Sequence, residues 1–313
     1  MKVITNFSTY VPSEQGTSVA IGCFDGLHRA HQAVIGRTVA DRSQGLIPSV
    51  FTFHTDCTGL KGAPMLTTNE QRLSSIETMG VEQVFFPTLE EVKNLTPEEF
   101  VEQILVGVCN AKRVYCGFNF HFGKGGSGTA QQLRSLCISY GIVVEIIPQI
   151  LVDGETVSST RIRRLIGQGE MEAAEALLGH PFGYTLEVCH GRKLGRTIGI
   201  PTMNQHLPEG LVQPKFGVYA SLISLEKRNY YGVTNVGVKP TVGSDCVVSE
   251  TWIPCFHGDL YGKMVNVYLL KFLRPEREFP GLEALREQIL QDQEQAKAWM
   301  EQYVSSQVHI QNF

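Results

Sequence analysis

The chain has 313 residues, a formal net charge of −4 and 42% hydrophobic residues, proportions of a folded globular protein long enough for two domains. The slight acidity excludes a non-specific nucleic-acid binder. No apolar run approaches membrane-spanning length, and no basic region followed by a long apolar core opens the chain, so a cytoplasmic protein with no membrane and no nucleic-acid partner is expected. Eight cysteines are scattered without a Cys-x-x-Cys pair, which indicates neither a zinc site nor a disulfide framework.

The first predicted strand covers residues 19–22. A tight loop follows, and a helix starts near His28, because Ala30, Val34 and Ile35 recur at helical spacing. Gly22, Phe24 and Asp25 belong to a Gly-x-Phe-Asp-Gly segment between the two. His28 and His31 are three apart and share one face of the first helical turn. That turn carries unpaired N–H groups and the positive end of the helix dipole, which suit the phosphates of a nucleotide. Residues 49–53 read as a strand, 67–78 as a helix capped by Thr68 or Asn69, and 83–86 as a short strand. Thr96-Pro-Glu-Glu99 supplies a cap, a proline at the first turn and acids suited to the dipole. A strand at 113–116, a helix over 127–140 and a strand at 142–147 complete the first half. Apolar strands alternating with helices imply a parallel sheet covered on both faces, with ligands at the carboxyl ends of its strands.

Two further stretches fall at that edge. Gly117-Phe-Asn-Phe-His-Phe-Gly-Lys-Gly-Gly-Ser-Gly128 is a flexible loop in which Asn119 can hydrogen-bond a base or ribose. Val157-Ser-Ser-Thr-Arg-Ile-Arg163 places the Ser159 and Thr160 hydroxyls and Arg161 at a helix start, an anion site. Residues 166–178 read as helix, and Gly179-His-Pro-Phe-Gly183 as the break between domains 1–182 and 183–313. Beyond it, β-rich runs at 184–190, 217–224, 230–236, 247–255 and 263–272 imply a small antiparallel β-barrel. An amphipathic helix at 281–304 follows, with Leu282, Leu285, Ile289, Ala296 and Met300 on one face. Gly191-Arg-Lys-Leu-Gly-Arg-Thr-Ile-Gly-Ile-Pro-Thr-Met-Asn204 joins a basic glycine loop, with Gly191, Lys193 and Gly199, to a rigid Pro-Thr-x-Asn turn. Thr202 and Asn204 offer hard oxygens to Mg²⁺–ATP, and Glu250 is a candidate base for a substrate hydroxyl.

The order of the first three motifs resembles the FMN adenylyltransferase half of the bacterial bifunctional riboflavin kinase/FAD synthetase family, within the Rossmann-like nucleotidyltransferases that use a His-x-Gly-His motif. Ala30 stands for that motif's glycine, Phe53-His-Thr-Asp56 for a Pro-His-Pro segment, and His121 and Gly126 where arginines are usual. The Pro-Thr-Met-Asn204 and Glu250-Thr251 segments resemble those of a riboflavin kinase domain, with Met203 for an alanine and Trp252 for a frequent histidine. The resemblance implies an α/β nucleotidyltransferase domain followed by an antiparallel barrel kinase domain with a terminal helix. It implies ATP-dependent phosphorylation of riboflavin to FMN, with Glu250 as base. It further implies adenylylation of FMN to FAD with release of pyrophosphate, with His28, His31 and Arg161 stabilising charge. Arg274 would border the flavin. Two alternatives stay open on the residues alone: a kinase whose first domain is degenerate, and a non-enzymatic flavin or nucleotide sensor. The oligomeric state, weak self-association included, stays open as well.

Overall fold

The computed structural model describes residues 1–55, 62–191, 194–225, 228–241 and 244–310. They fall into two compact units, Met1–Ser159 and Thr160–Phe313.

The first unit is built on a sheet of β1 (Lys2–Ile4), β2 (Thr17–Ile21), β3 (Ile47–Phe51), β4 (Gln83–Phe85), β5 (Ala111–Gly117) and β6 (Val143–Ile147). Its order is β1-β4-β3-β2-β5-β6, and every pairing is parallel. Along β2 the side chains alternate between two apolar clusters, Val19 and Ile21 in one and Ala20 in the other. A strand buried on both faces must be apolar throughout, hence its unbroken run. β2 lies between β3 and β5, so the chain reverses its direction of travel across the sheet there. The crevice of a doubly wound sheet opens at such a point.

Helix α1 (Arg29–Ala40) buries Val34 and Ile35, each stabilising by roughly 2 kcal/mol on transfer from water. Helix α2 (Asn69–Thr78) is capped by Thr68 in a reciprocal capping box with Gln71. Thr96 caps the next helical segment as its sequence predicts, but Phe100–Val108 then winds as a π-helix, with Cys109 N donating to Ile104 O at 2.7 Å. Helix α3 (Ala130–Ile138) starts three residues later than expected. Gly128–Thr129 instead pairs with His121–Phe122 in a small hairpin, where a Cβ on Gly128 would lie 2.6 Å from the Phe122 ring. The sequence reading missed β1, which has three residues, and a hairpin joining Leu151–Val152 to Glu155–Thr156. Asp153 and Gly154 at its tip both have positive φ, 53° and 77°, as an Asp-Gly type I′ turn requires.

The single helix expected over residues 166–178 is two, α4 (Ser159–Gln168) and α5 (Met171–Leu178). Gly169, at φ +79°, breaks them, because a left-handed residue ends the i→i−4 ladder. In the second unit this pair is tied to barrel residues by Lys215 N donating to Ile166 O at 3.2 Å and by the Lys271–Glu172 ion pair.

The barrel comprises β7 (Gly183–Glu187), β8 (Thr202–His206), β9 (Gly217–Leu225), β10 (Arg228–Thr241), β11 (Ser244–Trp252) and β12 (Met264–Arg274). Its order is β7-β12-β9-β10-β11-β8, antiparallel throughout. The ends meet through a bridge in which Cys189 N donates to Asn204 O at 2.7 Å, and through Gln205 Nε2 donating to Leu186 O at 2.7 Å, so the barrel is nearly closed. The segment read as a Pro-Thr-x-Asn turn is therefore corrected to strand β8. Pro201 precedes the ladder, where its missing N–H costs nothing. Inside, Tyr184 donates to Ser249 Oγ at 2.7 Å, and the Ser221, Thr234 and Thr251 hydroxyls form a buried chain. Helix α6 (Leu282–Ile310) covers Val218, Ala220 and Val233 with Ala296 and Trp299. Leu282 is 45% exposed, contrary to the predicted face. Asp292, only 1% exposed, occupies that face because Arg274 pairs with it.

Candidate active sites

In the first unit the site grows from the end of β2. Phe24 and Leu27 take positive φ, 50° and 39°, and Gly26 takes 76°. This run of left-handed residues folds the loop tightly against the sheet. A Cβ on Gly26 would lie 2.5 Å from Leu66 Cδ1, and one on Gly22 3.1 Å from the Phe24 ring. Asp25 is buried and its Oδ1 accepts from Leu66 N at 2.8 Å. The residue therefore anchors the loop to the segment before α2. His28 is the N-cap of α1, and its Nδ1 accepts from His31 N at 3.4 Å. The two imidazoles stack with centroids 3.6 Å apart, and Phe24 meets His31 edge-on at 5.3 Å. Burial, then His28 and Arg72, push His31 well below the usual histidine pKa. His31 is thus neutral at pH 7 and able to donate one N–H. Ser159 Oγ donates to Asp25 O at 3.2 Å, which brings the third motif's hydroxyl to the loop of the first. Thr160 and Arg161 follow in the first turn of α4 and fall in the second unit. Asn119 is exposed beyond β5, its carbonyl against His121 Nδ1 at 3.0 Å.

Arg72 was missed by the sequence reading. It is fully buried, donating from Nη1 to Cys23 O at 3.0 Å and from Nη2 to Phe53 O at 2.6 Å and Asn69 Oδ1 at 2.7 Å. Its guanidinium stitches α2 to the loop that carries the histidines. Only its unusual place, in a helix whose other charges face water, could have signalled this. The Cys116 and Cys137 thiols are pushed up to about 12 by burial, so neither serves as a nucleophile.

In the second unit the site is written in strand register. β8 and β11 pair Thr202 with Trp252 and Asn204 with Glu250. Opposed residues and their second neighbours share a face, so Thr202, Asn204 and Glu250 look out of the barrel together. Thr202 also lines a cleft of about 250 Å³ with Arg196, Thr251, Asp259 and Tyr261. At its rim the His190 and Tyr261 rings meet at 3.9 Å, and Arg196 Nη2 donates to the Tyr261 hydroxyl at 3.1 Å. Asn204 is 6% exposed, and a Cβ on Gly191 would lie 2.6 Å from its side-chain amide. Only glycine leaves that cradle open. Gly199 takes φ +75° after the short helix Leu194–Thr197. Lys193 lies outside the described residues. Arg274 is held in a two-pronged pair with Asp292, Nε to Oδ1 at 2.9 Å and Nη2 to Oδ2 at 2.8 Å.

Two family models match the chain, FAD synthetase over residues 11–161 and riboflavin kinase over 178–300. A Bacillus subtilis (strain 168) relative named bifunctional riboflavin kinase/FMN adenylyltransferase is 33% identical over 94% of this chain and 96% of its own length. The chain belongs to the bifunctional riboflavin kinase/FMN adenylyltransferase family. A Pseudomonas fluorescens relative of the same name is 33% identical over 95% and 97% of the two chains. A crystal structure described as a macrolide-efflux protein from Streptococcus pneumoniae superposes with a TM-score of 0.84, at 28% identity over 95% and 98% of the two chains. Efflux is said of that protein; no described helix here is long and apolar enough to cross a membrane. As a member of this family the chain is an enzyme of flavin-cofactor synthesis. It phosphorylates riboflavin to FMN and adenylylates FMN to FAD.

Proposed function

We propose that the two reactions divide between the two sites, with residues 1–182 serving adenylyl transfer and 183–313 serving phosphoryl transfer. The observation that carries this reading is the cross-strand pair of Asn204 and Glu250, with Thr202 two residues along at the cleft. It sets a carboxylate beside neutral oxygen donors, as phosphoryl transfer to an alcohol needs. Glu250 accepts the proton of the riboflavin 5′-hydroxyl while that oxygen attacks the γ-phosphorus of ATP and ADP leaves. Thr202 and Asn204 would hold Mg²⁺, their hard oxygens and the open cradle at Gly191 fitting such an ion. When bound, the ion neutralises phosphate charge. The Gly191–Gly199 segment covers the phosphates, and Arg274, fixed by Asp292, borders the flavin.

At the other site a phosphate oxygen of FMN attacks the α-phosphorus of a second ATP, and pyrophosphate leaves. The N–H groups that open α1, with His28 and neutral His31 among them, stabilise the charge that builds on the transferring group. Arg161 is kept in the proposal as the positive charge of that step on the strength of its Ser-Ser-Thr-Arg motif, and Asn119, Ser159 and Thr160 as ATP contacts. Small molecules are the proposed partners. A cytoplasmic location is supported by the absence of any disulfide among the described cysteines.

Chromatography of products from riboflavin and excess Mg²⁺–ATP tests the division. Glu250→Gln is expected to lower FMN formation by about 10²–10⁴-fold while adenylylation of supplied FMN continues at the parent rate. Equal loss of both activities overturns it.

A further inference from the structure

The outer barrel face carries charged groups that the reading above leaves unused. β10 and β11 pair Asn235 with Glu250, Gly237 with Val248 and Lys239 with Cys246. Second neighbours along a strand share a face, so Asn235, Gly237, Lys239 and Glu250 look out together. Gly237 keeps the lane between them bare: a Cβ there would lie 2.2 Å from Glu276 Oε1. Across this floor the Lys239 ammonium reaches Oε1 of Glu250 in an ion pair, the two side chains 32% and 27% exposed. Beside it Asn235 Nδ2 donates to Glu276 Oε1 at 2.9 Å. Two carboxylates thus stand on one face, each held by its own donor. Among the described residues none donates to the second oxygen of Glu250.

We propose that Lys239 is a positioning residue for phosphoryl transfer: it pins one oxygen of Glu250 so that the other faces the riboflavin hydroxyl. The inference rests on the reading of Glu250 as the base. A glutamate on a strand has three rotatable side-chain bonds, and only a fraction of its rotamers aims the carboxylate at one point in space. An ammonium anchored on the neighbouring strand removes that freedom before substrate arrives, which is how orientation lowers a barrier. The proton goes from the 5′-hydroxyl to the free oxygen of Glu250, the new O–P bond replaces the bond to the ADP oxygen, and Lys239 keeps its proton throughout. As a partly exposed ion pair the contact contributes little to stability, so its effect belongs in the rate.

Steady-state kinetics on the full chain separate the possibilities. Lys239→Met is expected to lower the turnover number for FMN formation about 10- to 30-fold with KM for riboflavin within about twofold. Lys239→Arg is expected to restore most of the rate. Adenylylation of supplied FMN and the melting temperature stay at parent values. Lys239→Gln serves as a second neutral variant where methionine perturbs folding. Unchanged turnover in both neutral variants, with Glu250→Gln inactive, overturns the role of Lys239. A fully active Glu250→Gln overturns the assignment of the base itself.

Discussion

The two sites are made by different means. The proposed adenylyl site rests on backbone: left-handed conformations at Phe24, Gly26 and Leu27, a helix N-terminus, and a buried arginine that holds loop carbonyls. The proposed kinase site rests on side chains that strand register sets on one face. A loop of strained conformations depends on every group that over-determines it. A strand ladder places its side chains by periodicity and tolerates change between them. The first site should therefore be brittle and the second forgiving.

The sharpest way to break this contrast is Arg72→Met. It removes the Nη2 donor to the Phe53 carbonyl and to Asn69 Oδ1, which keeps Thr55 N and Oγ1, and the Nη1 donor to the Cys23 carbonyl, to which Thr52 Oγ1 also donates. Losing these three part-buried hydrogen bonds should cost the first unit roughly 3 kcal/mol. Adenylylation should fall with it while FMN formation persists. Urea unfolding followed with both activity assays checks this, and equal damage to both activities would erase the distinction.

Acid supplies the next test. Burial holds the His31 pKa in the folded protein well below the ordinary histidine value of 6.5, so the unfolded chain binds the extra proton. Its contribution is complete above the unfolded pKa and is lost progressively as pH falls from that value toward the depressed folded-state one. Melting of the first unit should therefore fall steadily as pH drops below about 6.5, and His31→Gln should flatten that fall. A parent profile that is already flat in this window would contradict a buried neutral imidazole.

The smallest effect is expected at Gly237. Its backbone is ordinary, and an added Cβ meets only the far end of Glu276, which can swing toward solvent. Gly237→Ala should alter stability by less than about 1 kcal/mol and slow FMN formation only a few-fold. Gly26→Ala offers the matched comparison in the other site, since both φ and the Leu66 contact oppose it. Similar outcomes for the two alanines would show that backbone strain does not set the difference.

Much of this was legible in the chain itself. Periodicity marked most strands and helices, and Thr68 and Thr96 announced their helix starts through capping-box spacing. The motifs identified both halves, because glycines, histidines and hydroxyls at fixed offsets are local facts. The Asp153-Gly154 hairpin was also written locally and was overlooked. Other features had no local signature. Thr202-Met-Asn204 looks like a turn until β11 pairs with it, since a proline and an asparagine both disfavour strand and only the ladder outweighs them. Asp292 looks like the wet side of α6 until Arg274 arrives from β12. Arg72 and Lys239 read as surface charges in their own segments. Their partners lie 19 and 11 residues away at Phe53 and Glu250, and no period in a sequence records which distant carbonyl or carboxylate a long side chain will find. Sequence settled which chemical groups exist and their local conformations; tertiary packing decided which of them meet, because desolvated pairing depends on neighbours in space.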